Sequence, residues 1–518
     1  MKIVFLSLIL AFIVPNNSPP WNSFQSEFLA VFFAISIGLM NFRKKTKFYS
    51  YDLFLIAILV AAGAGYFFKV SAFGTYFYVG TVYLFSALIA FHVAVENKYN
   101  DSYFEWFSVS LILASIISLG CQLVQLMNLE DYFFPWVGDN PDGGRYFGNL
   151  GQPNQLASLV LMSFLCGLYL NSKEKISRYT QIVLAIIFGL SLSLAGSKTS
   201  IISLIAAILL LLFAKERRYS GYAVLCGLSF LFFSIFIKDD VRDYAGVDIS
   251  TGRFSMWGML IESVLYKPWI GYGFNDTAIA NFELVNEFPV NWNRFTAHSH
   301  NIVLDFFVWF GIPAGIFLTI FFAYLCWQHI FLQKKTQDKL IAYTAIPLLV
   351  HSMLEFPLHY AYFLIPISFI MGSCWKGKSF SSQIYLNQIF IIYCLPIGIL
   401  MTREYLILES SLTEQRFYIN NFSNGKEQEI IFPRFLDLPT SQFNFLVKNE
   451  ITKEDYFEME NLVRSYPTYR NLHFLCDYLL KNDEYEKFLL YYEKALALLN
   501  KEEASAFKNF YEVKKKLD

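Results

Sequence analysis

The stretch TQIVLAIIFGLSLSLAGSKTSIISLIAAILLLLFAKERR, residues 180–218, decides the fold. It holds two apolar runs, 180–195 and 200–213, joined by Gly196-Ser197-Lys198-Thr199 and closed by Lys215, Arg217 and Arg218. A membrane-spanning helix needs roughly 20 apolar residues, about 17 at the short end, so the stretch reads as two short spans with a tight turn between them. Lysine and arginine collect in the short cytoplasmic loops of membrane proteins. The basic cluster at 215–218 therefore marks the cytoplasmic face, and the turn carrying Lys198 falls on the periplasmic one.

Working outward, the same reading predicts an all-α, polytopic membrane protein of about thirteen spans. They lie at approximately 2–14, 27–41, 51–69, 76–95, 103–127, 154–171, 180–195, 200–213, 221–237, 300–330, 340–356, 361–375 and 384–403. With the N-terminus in the cytoplasm, the even-numbered spans end inside. The loops after them hold Arg43, Lys44, Lys45 and Lys47; Lys98; Lys173, Lys175 and Arg178; Lys215, Arg217 and Arg218; Lys334, Lys335 and Lys339; and Lys376 and Lys378. Every clear basic cluster between spans lands on one side. Composition agrees: 55% of the 518 residues are hydrophobic and 16% charged, against about a quarter charged in soluble domains. A net charge of −1 gives no sign of a nucleic-acid partner, which would call for a basic face; none is expected. The seven cysteines stand singly, without the spacing of a zinc site or disulfide framework. Residues 1–14 are similar to a signal peptide but lack a small-residue cleavage site, so they are expected to remain as the first span.

Two loops on the periplasmic side, 128–153 and 238–299, exceed what a connector needs and are rich in Gly, Pro, Asp, Asn and aromatic residues. Loops of that length in compact proteins usually carry function. The chain then divides into a polytopic domain, 1–403, and a polar region, 404–518, expected to be a periplasmic, mainly helical domain. Within it 472–480, 485–499 and 503–517 show apolar residues at helical spacing, similar to a helical-repeat hairpin although no clean period emerges. Acceptor docking and a spacer role both suit it.

Polar residues at the membrane face are costly and often mark function. In Gly143-Gly144-Arg145-Tyr146-Phe147-Gly148-Asn149-Leu150-Gly151-Gln152-Pro153-Asn154, glycine permits close backbone approach to a ligand and Pro153 suits a helix start. Helix N-termini favour anions, and Arg145 adds a bidentate clamp for phosphate. The same residues also make an ordinary turn and helix cap. Arg253, in Thr251-Gly252-Arg253-Phe254-Ser255-Met256-Trp257, heads an interfacial helix expected over 256–265; it suits a phosphate contact or a headgroup anchor. In Ala297-His298-Ser299-His300-Asn301, a histidine at the boundary is placed for general-base work, since imidazole titrates near neutral pH. A metal pair is the other use, but no further ligands stand at a recognised spacing. In His351-Ser352-Met353-Leu354-Glu355-Phe356-Pro357-Leu358-His359-Tyr360, the i, i+4, i+8 spacing of His351, Glu355 and His359 suggests a metal trio. Pro357 breaks that register, leaving Glu355 a hydrogen-bonding role. Lys198 is either a snorkelling lysine or a member of a cationic cluster with Arg145 and Arg253.

Together and in this order, these motifs resemble the bacterial O-antigen ligase and polymerase superfamily, and most closely its protein O-oligosaccharyltransferase branch, the PglL-like and pilin-glycosylating enzymes. The glycine-rich loop ending in Gln152-Pro153-Asn154 with Ala157, and the run from His351-Ser352 through Glu355-Phe356-Pro357, are similar to that branch. Gly252-Arg253 to Trp257, Pro268 with Gly271 and Gly273, and His300-Asn301 followed by Gly311 resemble the superfamily core. Pro20-Trp21, Phe24 and Glu27 resemble its start. Ser197-Lys198 departs from it, since relatives tend to have Ser-Arg there and lysine lacks arginine's fork.

The resemblance implies a metal-independent glycosyltransferase of the bacterial inner membrane with no cofactor. Its donor would be an undecaprenyl-diphosphate-linked oligosaccharide, and its acceptor a serine or threonine of a periplasmic or pilin protein. His300 would be the catalytic base, and Arg145, Arg253 and Lys198 would bind the donor diphosphate. Gln152, Asn154, His298, Asn301, Glu355 and Tyr360 would support or position substrate. O-antigen ligase, with a lipid A-core acceptor, and glycan polymerase are the alternatives. A transporter is a rival of another class, but it would place its polar sites near the midplane, often on internal repeats, whereas here they cluster on loops.

Overall fold

The computed structural model describes residues 2–15, 19–140, 144–237, 249–287, 295–380, 384–421, 435–448 and 450–517. Gly143 at the head of the glycine-rich run, and 238–248 and 288–294 in the second long loop, fall outside them.

The described chain is helical. In order it forms α1 (Lys2–Ile13), α2 (Phe24–Met40), α3 (Ser50–Phe67), α4 (Thr75–Glu96), α5 (Asp101–Leu126), α6 (Glu130–Phe133), α7 (Pro153–Ser172), α8 (Arg178–Ala195), α9 (Lys198–Phe213) and α10 (Arg217–Phe236). After these come α11 (Ile249–Tyr266), α12 (Thr277–Leu284), α13 (Ile302–Phe331), α14 (Thr336–Tyr343), α15 (Ile346–Ser352), α16 (Ala361–Ser373) and α17 (Leu386–Asn421). The C-terminal helices are α18 (Asp437–Val447), α19 (Tyr456–Ser465), α20 (Tyr469–Lys481), α21 (Tyr485–Leu498) and α22 (Lys501–Leu517).

Among the described residues eight helices are long and apolar enough to cross a membrane: α3, α4, α5, α7, α8, α10, α13 and α17. Four shorter apolar helices, α1, α2, α9 and α16, accompany them. The chain is a multi-pass, all-α membrane protein. Each of the predicted spans has a helical counterpart, with three differences of form. The span expected over 340–356 is broken into α14 and α15, because Pro347, in the first turn of α15, has no N–H to donate to the Tyr343 carbonyl at the end of α14 and its ring crowds that carbonyl. The span expected over 300–330 is opened at Gly311, whose φ of 77° and ψ of −178° are not helical. The last span, expected to stop near 403, continues as helix to Asn421.

The chain separates into two compact units, one of Met1–Leu55, Val82–Val247 and Phe321–Ile397, the other of Ile56–Thr81, Asp248–Ile320 and Gly398–Asp518. In the first unit α7 is buried along nearly its whole length, which makes it the central helix. The loops predicted to share one face are linked in series by side chains. Lys44 Nζ donates to Asn97 (2.7 Å) and Lys173 to Asp101 (2.7 Å). Arg218 donates to Asn171 (2.8 Å), Lys339 to Glu216 (3.1 Å) and Lys376 to Asp338 (2.9 Å). In the second unit α18 to α22 share an apolar core with Phe73, Phe282 and Val285, and Met459, Leu462, Leu472, Leu475, Leu479 and Ala495 are buried in it.

Candidate functional site

The candidate residues fall into two groups, one in each unit. In the first unit the group centres on Asn154, the second residue of α7. Pro153 occupies the first helical position, where a missing N–H costs nothing. Gln152 precedes it with extended backbone. The Asn154 side-chain Oδ1 accepts from Arg145 Nη2 (3.3 Å) and from Ser197 Oγ (2.8 Å), while Nδ2 donates to Glu355 Oε1 (3.4 Å). Arg145 Nε also donates to the carbonyl of Ala195 (3.3 Å), at the C-terminus of α8, where a cation is favoured by the helix dipole. Ser197 caps α9 through the Ser200 amide (3.2 Å). Lys198, the first residue of α9, is exposed. Arg145, Asn154 and Glu355 are thus brought together with Ser197, the neighbour of Lys198.

The glycine-rich loop is held from below by two glutamines of α5. Gln125 donates to the carbonyls of Gly148 (2.8 Å) and Gly138 (2.9 Å) and accepts from the Gly148 amide (2.9 Å). Gln122 donates to the carbonyls of Tyr146 (2.9 Å) and Ser191 (3.1 Å). Neither was singled out from sequence, although two polar residues three apart within the apolar span 103–127 were the available signal.

The run 351–360 does not form one helix. His351 closes α15 and its Nδ1 meets Ser158 Oγ (2.8 Å), which donates to the Asn154 carbonyl (3.1 Å). Glu355 is buried in the turn that follows, and Pro357–His359 form a 3₁₀ turn. The i, i+4, i+8 alignment is therefore absent. Tyr360 precedes α16, its ring stacked on Tyr362 at 5.1 Å. The Ala361 amide, at the start of α16, donates to Glu27 Oε2 (2.7 Å). Among the described residues no group of three His, Cys, Asp or Glu side chains is arranged to hold a metal ion.

In the second unit the group lies between α11 and the start of α13. Helix α11 is longer than the predicted 256–265, and it carries Arg253 one turn ahead of Trp257. Trp257 Nε1 donates to the Ser299 carbonyl (2.8 Å), which ties α11 to the His298–Asn301 segment. Asn301 Oδ1 accepts from the amides of Val303 (3.0 Å) and Leu304 (3.1 Å), the N-cap geometry that satisfies otherwise orphaned donors. Immediately before it His300 sits at φ 57°, in the left-handed region that non-glycine residues adopt at a cost. The carbonyl of His298 accepts from Thr296 Oγ1 (2.8 Å).

The Pro268-to-Gly273 stretch pairs with the opened turn of α13. The amides of Tyr272 and Gly273 donate to the carbonyls of Val308 (2.9 Å) and Trp309 (3.1 Å), and the Ile312 amide donates to Pro268 (2.6 Å). The backbones touch so closely that a Cβ on Gly271 would lie 2.5 Å from the Trp309 carbonyl carbon, and one on Gly311 2.7 Å from the Pro268 oxygen. Glycine at both places is what lets the 268–273 loop pack against α13 at residues 308–312. Chemically, the two groups offer cationic side chains suited to an anion and an imidazole on a constrained backbone.

Three family models match the chain: O-antigen ligase over residues 183–319, the C-terminal part of virulence factor membrane-bound polymerase over 341–430, and protein glycosylation ligase over 147–170. A ComP-specific O-oligosaccharyltransferase of Acinetobacter baylyi is 28% identical over 397 residues, 73% of this chain and 71% of the relative. A general O-oligosaccharyltransferase of the same organism is 24% identical over 527 residues, 95% of this chain and 90% of the relative.

Proposed function

Because this chain belongs to the O-antigen ligase superfamily, in its PglL-like oligosaccharyltransferase branch, we propose that it transfers an oligosaccharide en bloc from undecaprenyl diphosphate to a serine or threonine hydroxyl of a periplasmic or pilin protein. The observation that carries the reading is the match to a protein glycosylation ligase at 147–170 beside the ligase match at 183–319, in a chain whose two curated relatives are both named oligosaccharyltransferases.

In this proposal the acceptor hydroxyl attacks the anomeric carbon, and His300 takes its proton as the new C–O bond forms. The bond from the sugar to the diphosphate breaks, and the lipid diphosphate leaves with the electron pair. Charge developing on that leaving group is best stabilised by fixed cations, and Arg145, Arg253 and Lys198 are assigned this role without a metal. Asn154 and Glu355 hold Arg145 in place, and Asn301 and His298 set the backbone around His300. Gln152 and Tyr360 are assigned to substrate positioning. The protein is proposed to lie in the inner membrane with its N-terminus cytoplasmic and residues 404–518 periplasmic. The serial linkage of the basic loops supports their lying together on one face, and their lysines and arginines favour the cytoplasmic one.

One observation favours a second acceptor class: the match of 341–430 to a membrane-bound polymerase. Purified protein in detergent, given a lipid-diphosphate oligosaccharide and either an acceptor protein or a lipid A-core sugar, separates the readings. Transfer to protein supports the proposal. Glycan chains lengthened on lipid, or attached to the core sugar, move it to polymerase or ligase. Absence of any transfer in detergent favours a transporter.

A further inference from the structure

We propose that the C-terminal helices are a positioning element for the His298–Asn301 segment, acting through α12, with Asn281 and Lys494 as the residues that transmit it. The inference rests on the reading of that segment as catalytic.

Helix α12 has eight residues, far fewer than an isolated helix needs to persist in water. Its place is therefore set by what packs on it. Phe282, with Val285 just beyond the helix, is buried in the same core as Met459, Leu462, Leu472 and Tyr491. Lys494 of α21, 7% exposed, donates to the carbonyls of Phe282 (2.7 Å) and Glu283 (2.8 Å). These lie in the last turn of α12, where carbonyls lack helical partners and a cation suits the dipole. Burial pushes the Lys494 ammonium below its ordinary pKa, a cost these two carbonyls offset. The Glu283 carboxylate pairs with Lys267 (2.9 Å) and with Arg464 of α19. On the same helix Asn281 is fully buried, and its Oδ1 accepts from the Thr296 amide (3.0 Å). The Thr296 hydroxyl in turn holds the His298 carbonyl (2.8 Å). A continuous path thus runs from α19 and α21 through α12 to the residues flanking His300. A module built only to recruit an acceptor has no need of a buried lysine on the end carbonyls of α12.

The test compares Asn281→Ala and Lys494→Met with wild type by hydrogen–deuterium exchange and by steady-state transfer to a purified acceptor protein. Lys494→Met keeps the stem over Phe282, and serves where Asn281→Ala does not fold. The expected result is faster exchange in α12 and at 295–301, and not in the rest of the chain. With it, kcat should fall by up to about 10²-fold, the scale of a small misplacement of a catalytic group, at unchanged acceptor KM. Unchanged exchange at 295–301 overturns the proposal, as does a raised acceptor KM at unchanged kcat, which would make the C-terminal helices a docking module. Full transfer by His300→Ala would remove the catalytic reading alone, since the exchange result is independent of it.

Discussion

Asn154 is fixed by side chains from three separate segments. His300 sits at φ 57° between Ser299, whose carbonyl Trp257 holds, and the Asn301 cap of α13. Asn154→Ala removes one partner each from Arg145, Ser197 and Glu355, and should cost about 1–3 kcal/mol, read as a lower Tm in detergent. His300→Ala should lower transfer by about 10²–10⁴-fold, the usual worth of a general base. Asp276 gives a pH signature. It is 1% exposed, with Ser71 and Ala72 beside it, and burial pushes its carboxyl up to about 8. A raised carboxylate pKa favours the protonated folded state. The stability Asp276 contributes is therefore present below about pH 4, near the ordinary carboxylate pKa, and is lost as pH rises towards 8. Asp276→Asn should raise Tm more at pH 8 than at pH 5; an equal change at both would contradict this. At this scale Arg145, Asn154, His300 and Asn301 were legible because each sits in a short motif whose chemistry is local. Asn281, Lys494 and Gln125 were not, because their partners lie far away in sequence and only the fold brings them together.

At the scale of elements, the opened turn of α13 joins sequence to site. Gly311 adopts a backbone conformation closed to other residues at low cost, and its missing Cβ is the space Pro268 and Trp269 fill. Gly311→Ala should lower stability by at least about 1–3 kcal/mol and reduce transfer, although it touches no candidate residue. A variant with wild-type Tm and activity would show that the packing of the 268–273 loop on residues 308–312 contributes nothing. The Pro268, Gly271, Gly273 and Gly311 pattern was visible as a resemblance, but its pairing needs a tertiary contact that periodicity does not report. The break between α14 and α15 was closer to legible, since Pro347 stood inside the predicted span. Hydropathy averages over such a residue, because an apolar run remains apolar when its helix is broken.

For the whole molecule, the membrane character and the grouping of basic loops were readable from the chain, because burial in lipid and loop charge act on composition alone. The division into two units was not. Helices α3, α4, α13 and α17 each run from one unit into the other, so the division leaves no linker and no change of composition at its borders. Nor was it legible that α18–α22 share a core with Phe73, Phe282 and Val285, since those residues lie hundreds of positions away. Glycosylation of proteins by this membrane protein is tested by the intact mass of exported and pilin proteins from cells supplied with a lipid-linked glycan, with and without this gene. The expected result is a gene-dependent mass increase equal to the whole oligosaccharide, mapping to serine- or threonine-containing peptides and lost in His300→Ala. Unmodified proteins alongside shortened or missing lipopolysaccharide chains would contradict it.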